Sequence, residues 1–124
     1  MGFIETVFGW RKLVTEDDTN NALQNFPCQA NGAEMLRLAC VMAHQAGLKI
    51  IAPVHDAILL EAPLETFDQD VKKLQALMTE AGAIILGGFE VRTDAYLIRY
   101  PDRYQDERGI DMWEKVTRLG EGCK

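Results

Sequence analysis

Apolar and polar positions along this chain follow two periods, one near two residues and one near three to four. From Phe3 to Val14 the apolar positions suit a strand, with Gly9 at a turn or bend. Thr15 to Asn21 is a polar connector holding Asp17, Asp18 and two asparagines. A helix is predicted from Pro27 or Asn31 to Ala46, with Met35, Leu38, Ala39, Met42 and Ala46 on one stripe. Gly47 stops that helix, and Pro27 suits only its first turn, where a missing N–H removes no internal bond. Leu48 to Val54 and Ala57 to Ala62 are two short apolar runs joined by His55-Asp56, the pattern of a hairpin. The clearest helix spans Glu65 to Ala81, with Phe67, Val71, Leu74, Met78 and Ala81 at helical spacing. Phe89, Val91, Thr93 and Ala95 then alternate with Glu90, Arg92, Asp94 and Tyr96, as in a strand with one wet face. A short last helix, Asp111 to Leu119, is capped by Asp111, stopped by Gly120, and buries Trp113 and Val116. Together these elements predict an α+β fold: an antiparallel sheet around a central hairpin, helices packed on one face, the other face free to floor a cleft.

Composition narrows the class without naming a function. The 124 residues suit one small domain, 1–124, with an ordinary balance of 48% hydrophobic and 26% charged residues. No apolar run reaches the length of a membrane span and no signal-peptide profile opens the chain, so a cytoplasmic protein is expected. Cys28, Cys40 and Cys123 are odd in number and lack C-x-x-C spacing, which points to reduced thiols rather than disulfides or zinc. The net charge of −6 argues against a self-sufficient nucleic-acid binder, since such proteins carry a basic surface.

The candidate chemistry sits at the hairpin tip. An imidazole and a carboxylate between two apolar strands are held on a rigid element and can face a cleft, which suits a metal ligand. Asp is also a common turn residue, because its side chain bonds local backbone and tolerates positive φ. On the dipeptide alone the turn reading leads.

The neighbouring sequence reverses that order. Val54-His55-Asp56-Ala57-Ile58-Leu59-Leu60-Glu61 resembles the third palm motif of family A DNA polymerases, written V-H-D-E followed by three apolar residues and Glu. Asn25-Phe26-Pro27-Cys28-Gln29, followed by Ala33-Glu34, is similar to that family's N-x-P-x-Q stretch and the helix after it. Glu5-Thr6-Val7-Phe8-Gly9-Trp10-Arg11 resembles its E-T-x-x-G-R-R strand and turn. The three matches occur in the family's order and cover residues 3 to 98. There are departures. Ala57 stands where the family has a second acidic residue, and the stretch between Arg11 and Asn25 is shortened. The family's first palm motif, with its own metal-binding aspartate, and the fingers helix with the nucleotide-binding lysine and arginine have no counterpart in these residues.

The resemblance implies a C-terminal palm segment of a DNA-directed DNA polymerase, acting in template-directed nucleotidyl transfer by two metal ions. Asp56 is then the catalytic carboxylate and metal ligand, for Mg2+ or Mn2+ in the complete enzyme. Gln29 and Asn25 approach the minor groove near the primer end, where acceptors shared by every base pair let an amide test pairing without reading sequence. His55 positions the primer-terminal sugar or backbone, and Arg11 contacts template or primer phosphate. Three of these have a plainer alternative, Asn25 as a helix cap, His55 bonded to a local carbonyl and Arg11 in a surface ion pair, while capping does not explain Gln29. Glu61 lies five residues beyond Asp56, some 16 Å along a strand, too far to share its metal, and is read as structural. The run from Asp102 to Arg108 reads as a solvated loop, and Tyr100 and Tyr104 could stack on bases, with packing against the last helix the leading reading.

One aspartate is half of a two-metal site, so the isolated chain is expected to be inactive. Partners implied are primer–template DNA, deoxynucleotides and either the missing polymerase segments or a second copy of the chain. A function of another class stays open: a non-catalytic palm-like domain for oligomerisation or partner binding, which Ala57 and the acidic charge favour. A metal-dependent nuclease would need more carboxylates near Asp56.

Overall fold

The computed structural model describes residues 2–121. In chain order it contains β1 (Phe3–Glu5), β2 (Arg11–Leu13), α1 (Asn20–Gln45), β3 (Lys49–Val54), β4 (Ala57–Glu61), α2 (Phe67–Ile85), a 3-10 turn (Glu107–Gly109) and α3 (Ile110–Glu121). The α+β class holds. The described strands form two separate antiparallel hairpins, β1–β2 and β3–β4, rather than one sheet.

The first hairpin folds because Gly9 takes φ 83°, a conformation open to a residue without Cβ, and closes the turn between Thr6 and Trp10. The expected single strand with a bend at Gly9 is therefore two short strands, with Phe3 opposite Leu13 and Glu5 opposite Arg11. The second hairpin matches its pattern closely. Lys49 pairs with Glu61 and Val54 with Ala57, around a two-residue His55-Asp56 turn, with one irregularity in register at Ile51. Ile50, Ile58 and Leu60, with Leu77 and Met78, pack against the buried cluster of Ala43, Leu48 and Leu74, so residues of both long helices share the core on one face of this hairpin. Ile51 and Leu59 lie on its exposed side.

α1 and α2 run antiparallel. Lys73 reaches the carbonyl of Ala46, Ala43 joins Leu74 in the core, and Met35 lies beside Gly82. Ala39, Ala43, Ala81 and Gly82 are buried, and such small residues let two helix backbones approach closely.

α1 starts at Asn20, earlier than the predicted Pro27 or Asn31. Thr19 caps it by accepting the N–H of Ala22 at 3.2 Å, so Asn25 is not the cap. Pro27 consequently lies inside the helix, where its missing N–H leaves the Leu23 carbonyl without an internal partner. The half-buried Leu23 and Phe26 carry the helix through that position, with Trp10 edge-on to Phe26 at 5.9 Å. Propensity loses to packing there.

Residues 89–96 are not a strand in the described residues; they run beside α2 with no neighbouring strand to pair with. α3 begins at Ile110 on a 3-10 turn capped by Asp106, so Asp111 is a first-turn residue and Gly120 lies within the helix. Trp113 and Val116 are 67% and 54% exposed, against the burial expected of them, and no described residue of α3 is buried by the rest of the fold. Tyr104 stacks edge-on with Tyr96 rather than against α3.

The chain exposes 10057 Å², where a compact monomer of its mass would expose about 6,700 Å². Half as much surface again is open, and much of it is apolar. No described helix is long and apolar enough to cross a membrane.

Candidate functional site

The β3–β4 hairpin ends in the His55-Asp56 turn, with both residues exposed. His55 has φ 54°, the single non-glycine residue in the left-handed region among those described. A two-residue hairpin loop requires positive φ at its first central position, and His tolerates that better than most residues. The Asp56 carboxylate has no ion-pair partner among the described residues, and no group of three or more His, Cys, Asp or Glu is placed there to hold a metal ion. The Asp56 carboxylate thus stands exposed and unpaired at the end of the β3–β4 hairpin. Glu61 sits at the far end of β4 and pairs with Lys49 across the hairpin, the structural role its distance from Asp56 implied.

Asn25 and Gln29 lie one turn apart on α1, on an exposed face opposite the stripe of Leu23, Phe26 and Ala30. Neither side chain is used in a hydrogen bond within the described residues. Arg11 accords with its plainer reading: Nε donates to Glu5 at 2.9 Å, and the guanidinium lies 4.4 Å from the centre of the Phe3 ring. No hydrogen bond or ion pair joins any two of Arg11, Asn25, Gln29, His55 and Asp56. Helix α1 links them instead, carrying Asn25 and Gln29 itself, holding the first hairpin along Phe26 to Glu34 and the second near Ala43.

The join between the first hairpin and α1 was not legible as chemistry. Glu34 is 3% exposed, and its carboxylate accepts the Thr6 hydroxyl at 2.7 Å and the Phe8 N–H at 3.3 Å. Thr6 in turn accepts the Trp10 N–H at 3.0 Å, and Asn31 accepts the Val7 N–H at 3.0 Å. A buried carboxylate survives here because the turn aims donors at it, with the Arg37 guanidinium 3.9 Å away. Beside this contact lies an open groove of about 460 Å³ lined by Phe8, Gly9, Trp10, Ala33, Glu34 and Arg37. Exposed aromatic rings next to an arginine form a surface on which a nucleobase can stack. The signal is present in the sequence as Glu5-Thr6 and Ala33-Glu34, within two of the family-like stretches, but nothing in their spacing says that they touch.

Elsewhere the titratable groups serve the fold. Lys12 donates to Asp18 at 2.6 Å, and this bond, with the Thr15 N–H, holds the Asp18 carboxyl below its ordinary range. The Arg108 side chain and N–H do the same for Asp106. Cys28 and Cys40 are free thiols, and burial raises Cys40. Cys123 lies outside the described residues.

The sequence is similar to DNA polymerase I of several bacteria. It is 31% identical to that of Deinococcus radiodurans over 81 residues, 55% of this chain and 8% of that protein. The DNA polymerase I of Borreliella burgdorferi is 29% identical over 128 residues, which takes in 91% of this chain and 13% of the relative. The thermostable DNA polymerase I of Thermus aquaticus is 30% identical over 77 residues, 52% of this chain and 9% of the relative. The chain therefore spans about a tenth of the length of these relatives. No family model matches it, and no solved structure matches it with significance.

Proposed function

We propose that this chain provides the hairpin-borne aspartate and the primer-facing helix of a family A polymerase palm. It works in template-directed nucleotidyl transfer with a second carboxylate and nucleotide-binding groups from other sequence. The observation that carries the reading is the β3–β4 tip, where a carboxylate stands exposed and unpaired at the end of two apolar strands. The similarity to bacterial DNA polymerase I supports it, as do the three ordered motifs.

Asp56 fits as one ligand of a magnesium or manganese ion, which typically takes one or two protein carboxylates and completes its shell with water and phosphate oxygens. When bound, such an ion supplies Lewis-acid stabilisation of charge on the transferring phosphoryl group. The chain's own residues place and orient. The hairpin fixes the depth of Asp56, Gln29 and Asn25 offer amides to the minor groove of the primer–template end, and His55 flanks the primer sugar. Arg11 reaches DNA only by giving up Glu5.

Manganese titration followed by paramagnetic broadening of amide signals tests the reading, first on the chain alone and then with primed template and a deoxynucleotide. Weak broadening centred on residues 54–57, strengthened by the nucleic acid and lost in Asp56→Asn, is the expected result. Broadening centred on residues 102–107, or indifferent to Asp56→Asn, overturns the assignment. The second reading, a palm-like module for association rather than catalysis, is favoured by one observation, the large exposed apolar surface. Under that reading DNA leaves the metal response unchanged.

A further inference from the structure

Residues 89–98 hold an unused strand edge, and we infer that it pairs with the same segment of a second copy. Gln75 donates to the carbonyl of Thr93 at 2.9 Å and Thr79 to that of Val91 at 3.2 Å. The two donors are one turn apart on α2, about 6 Å along its axis, and two extended residues span about 6.6 Å. α2 thus clasps the segment in an extended form, with Val91 packed over Gly82 and Arg99 tied to Asp68. Residues 90–98 make no backbone–backbone hydrogen bond among the described residues.

In an extended chain alternate residues direct their N–H and C=O groups to opposite edges. The carbonyls of Val91 and Thr93 point at α2, so the backbone groups of Glu90, Arg92, Asp94 and Tyr96 line the outer edge. All four residues are exposed. An edge of this kind is a template for strand addition.

Charge selects the occupant and the register. With a two-fold axis through Thr93, the antiparallel overlap runs over the full span 89–97 and sets Arg92 opposite Asp94 twice. Phe89 then faces Leu97, Val91 faces Ala95 and Thr93 faces Thr93, an apolar row against its own copy. Moving the axis by one residue sets Arg92 against Arg92 or Asp94 against Asp94. Phe89, Val91 and Leu97 are exposed in the single chain, and the surface in excess of a compact monomer is more than the roughly 800 Å² each partner of a standard interface buries.

The test uses the full chain in sedimentation velocity over a wide concentration range, without DNA or metal, so its outcome is separate from the polymerase reading. Wild type is expected to form a dimer. Arg92→Asp and Asp94→Arg each replace two opposite-charge pairs by two like-charge pairs, and each is expected to weaken the dimer about ten-fold or more. The double variant Arg92→Asp/Asp94→Arg restores it, and an equimolar mixture of the two single variants forms a heterodimer. Circular dichroism confirms that each variant is folded. Amide exchange at residues 90, 92, 94 and 96 slows with concentration, while 91, 93 and 95 do not follow. A monomer at all concentrations, a dimer indifferent to both reversals, or a double variant as weak as the singles overturns the inference. So does association that appears only when a different polypeptide is added.

Discussion

Removing the Thr6 hydroxyl tests how the first hairpin is fixed to α1. Thr6→Val keeps the shape and deletes the donor to Glu34 at 2.7 Å and the acceptor for the Trp10 N–H at 3.0 Å. A hydrogen bond to a charged group contributes about 1.5–3 kcal/mol, and the carboxylate, 3% exposed, has little water to turn to. Thr6→Val is therefore expected to cost about 2–3 kcal/mol. Glu34→Leu strands the Thr6 hydroxyl and the Phe8 N–H at a similar cost, and its lost ion pair adds little because the Arg37 side chain is 69% exposed. In the double variant both buried partners are gone, and replacing both ends by apolar groups is far cheaper than replacing one. A coupling of about 1–2 kcal/mol should therefore appear in the double-mutant cycle. Urea unfolding followed by Trp10 fluorescence in a Trp113→Phe background reads the hairpin, while circular dichroism reads the helices. If the two substitutions add within about 0.5 kcal/mol, Thr6 and Glu34 do not interact and the hairpin is held by Trp10 and Phe26 instead.

Four further outcomes follow from the geometry. The chain incubated with primed template, four deoxynucleotides and magnesium or manganese should not extend the primer; extension that vanishes in Asp56→Asn would mean that these residues hold a whole active site. Pro27→Ala should raise stability by about 1–3 kcal/mol, since it restores the bond to the Leu23 carbonyl on an exposed face, and calorimetry showing a loss would refute the helical register. The Asp18 carboxyl is depressed, so its contribution is complete above the ordinary carboxylate pKa of about 3.9 and disappears as pH falls through its lower folded value; Asp18→Asn should flatten that acid limb in pH-dependent unfolding and leave higher-pH behaviour parallel. Trp113→Ala should change stability by less than about 0.5 kcal/mol, with the indole fully open to acrylamide quenching in wild type at low concentration.

What the sequence disclosed and what it hid differ by range. The β3–β4 hairpin was legible residue by residue, because its two apolar runs and a two-residue turn are local facts. α2 was legible as a helix from its apolar stripe, although it runs Phe67–Ile85 rather than Glu65 to Ala81. The start of α1 is hidden in the sequence because Pro27 reads as a breaker, whereas Thr19 caps the helix and Leu23 and Phe26 bury enough to override it. Alternation at residues 89–96 reports that a segment can pair but not that a partner lies beside it. Burial of Trp113 and Val116 failed for the same reason: an amphipathic helix specifies a face, and the protein surface that would cover it is a tertiary matter. At the tip, the place of Asp56 in a two-residue turn was readable, and its exposure with it. The Thr6–Glu34 contact, 28 residues apart in sequence, was not.

His55 offers a way to separate turn chemistry from function at the tip. Its φ of 54° carries a Cβ penalty of about 1–2 kcal/mol, which glycine escapes. Glycine also adds about 0.5–1 kcal/mol of unfolded-chain freedom, so His55→Gly should be neutral to slightly stabilising. His55→Val, β-branched in the same conformation, should be less stable than His55→Gly by more than about 1 kcal/mol. If His55 were there only to make the turn, glycine would replace it without loss of any kind. The polymerase reading demands a different result: His55→Gly should weaken the binding of primed template or its effect on manganese at Asp56, while the hairpin stays at least as stable. Equal binding by wild type and His55→Gly would reduce His55 to a turn residue, leaving Asp56 alone to carry the tip.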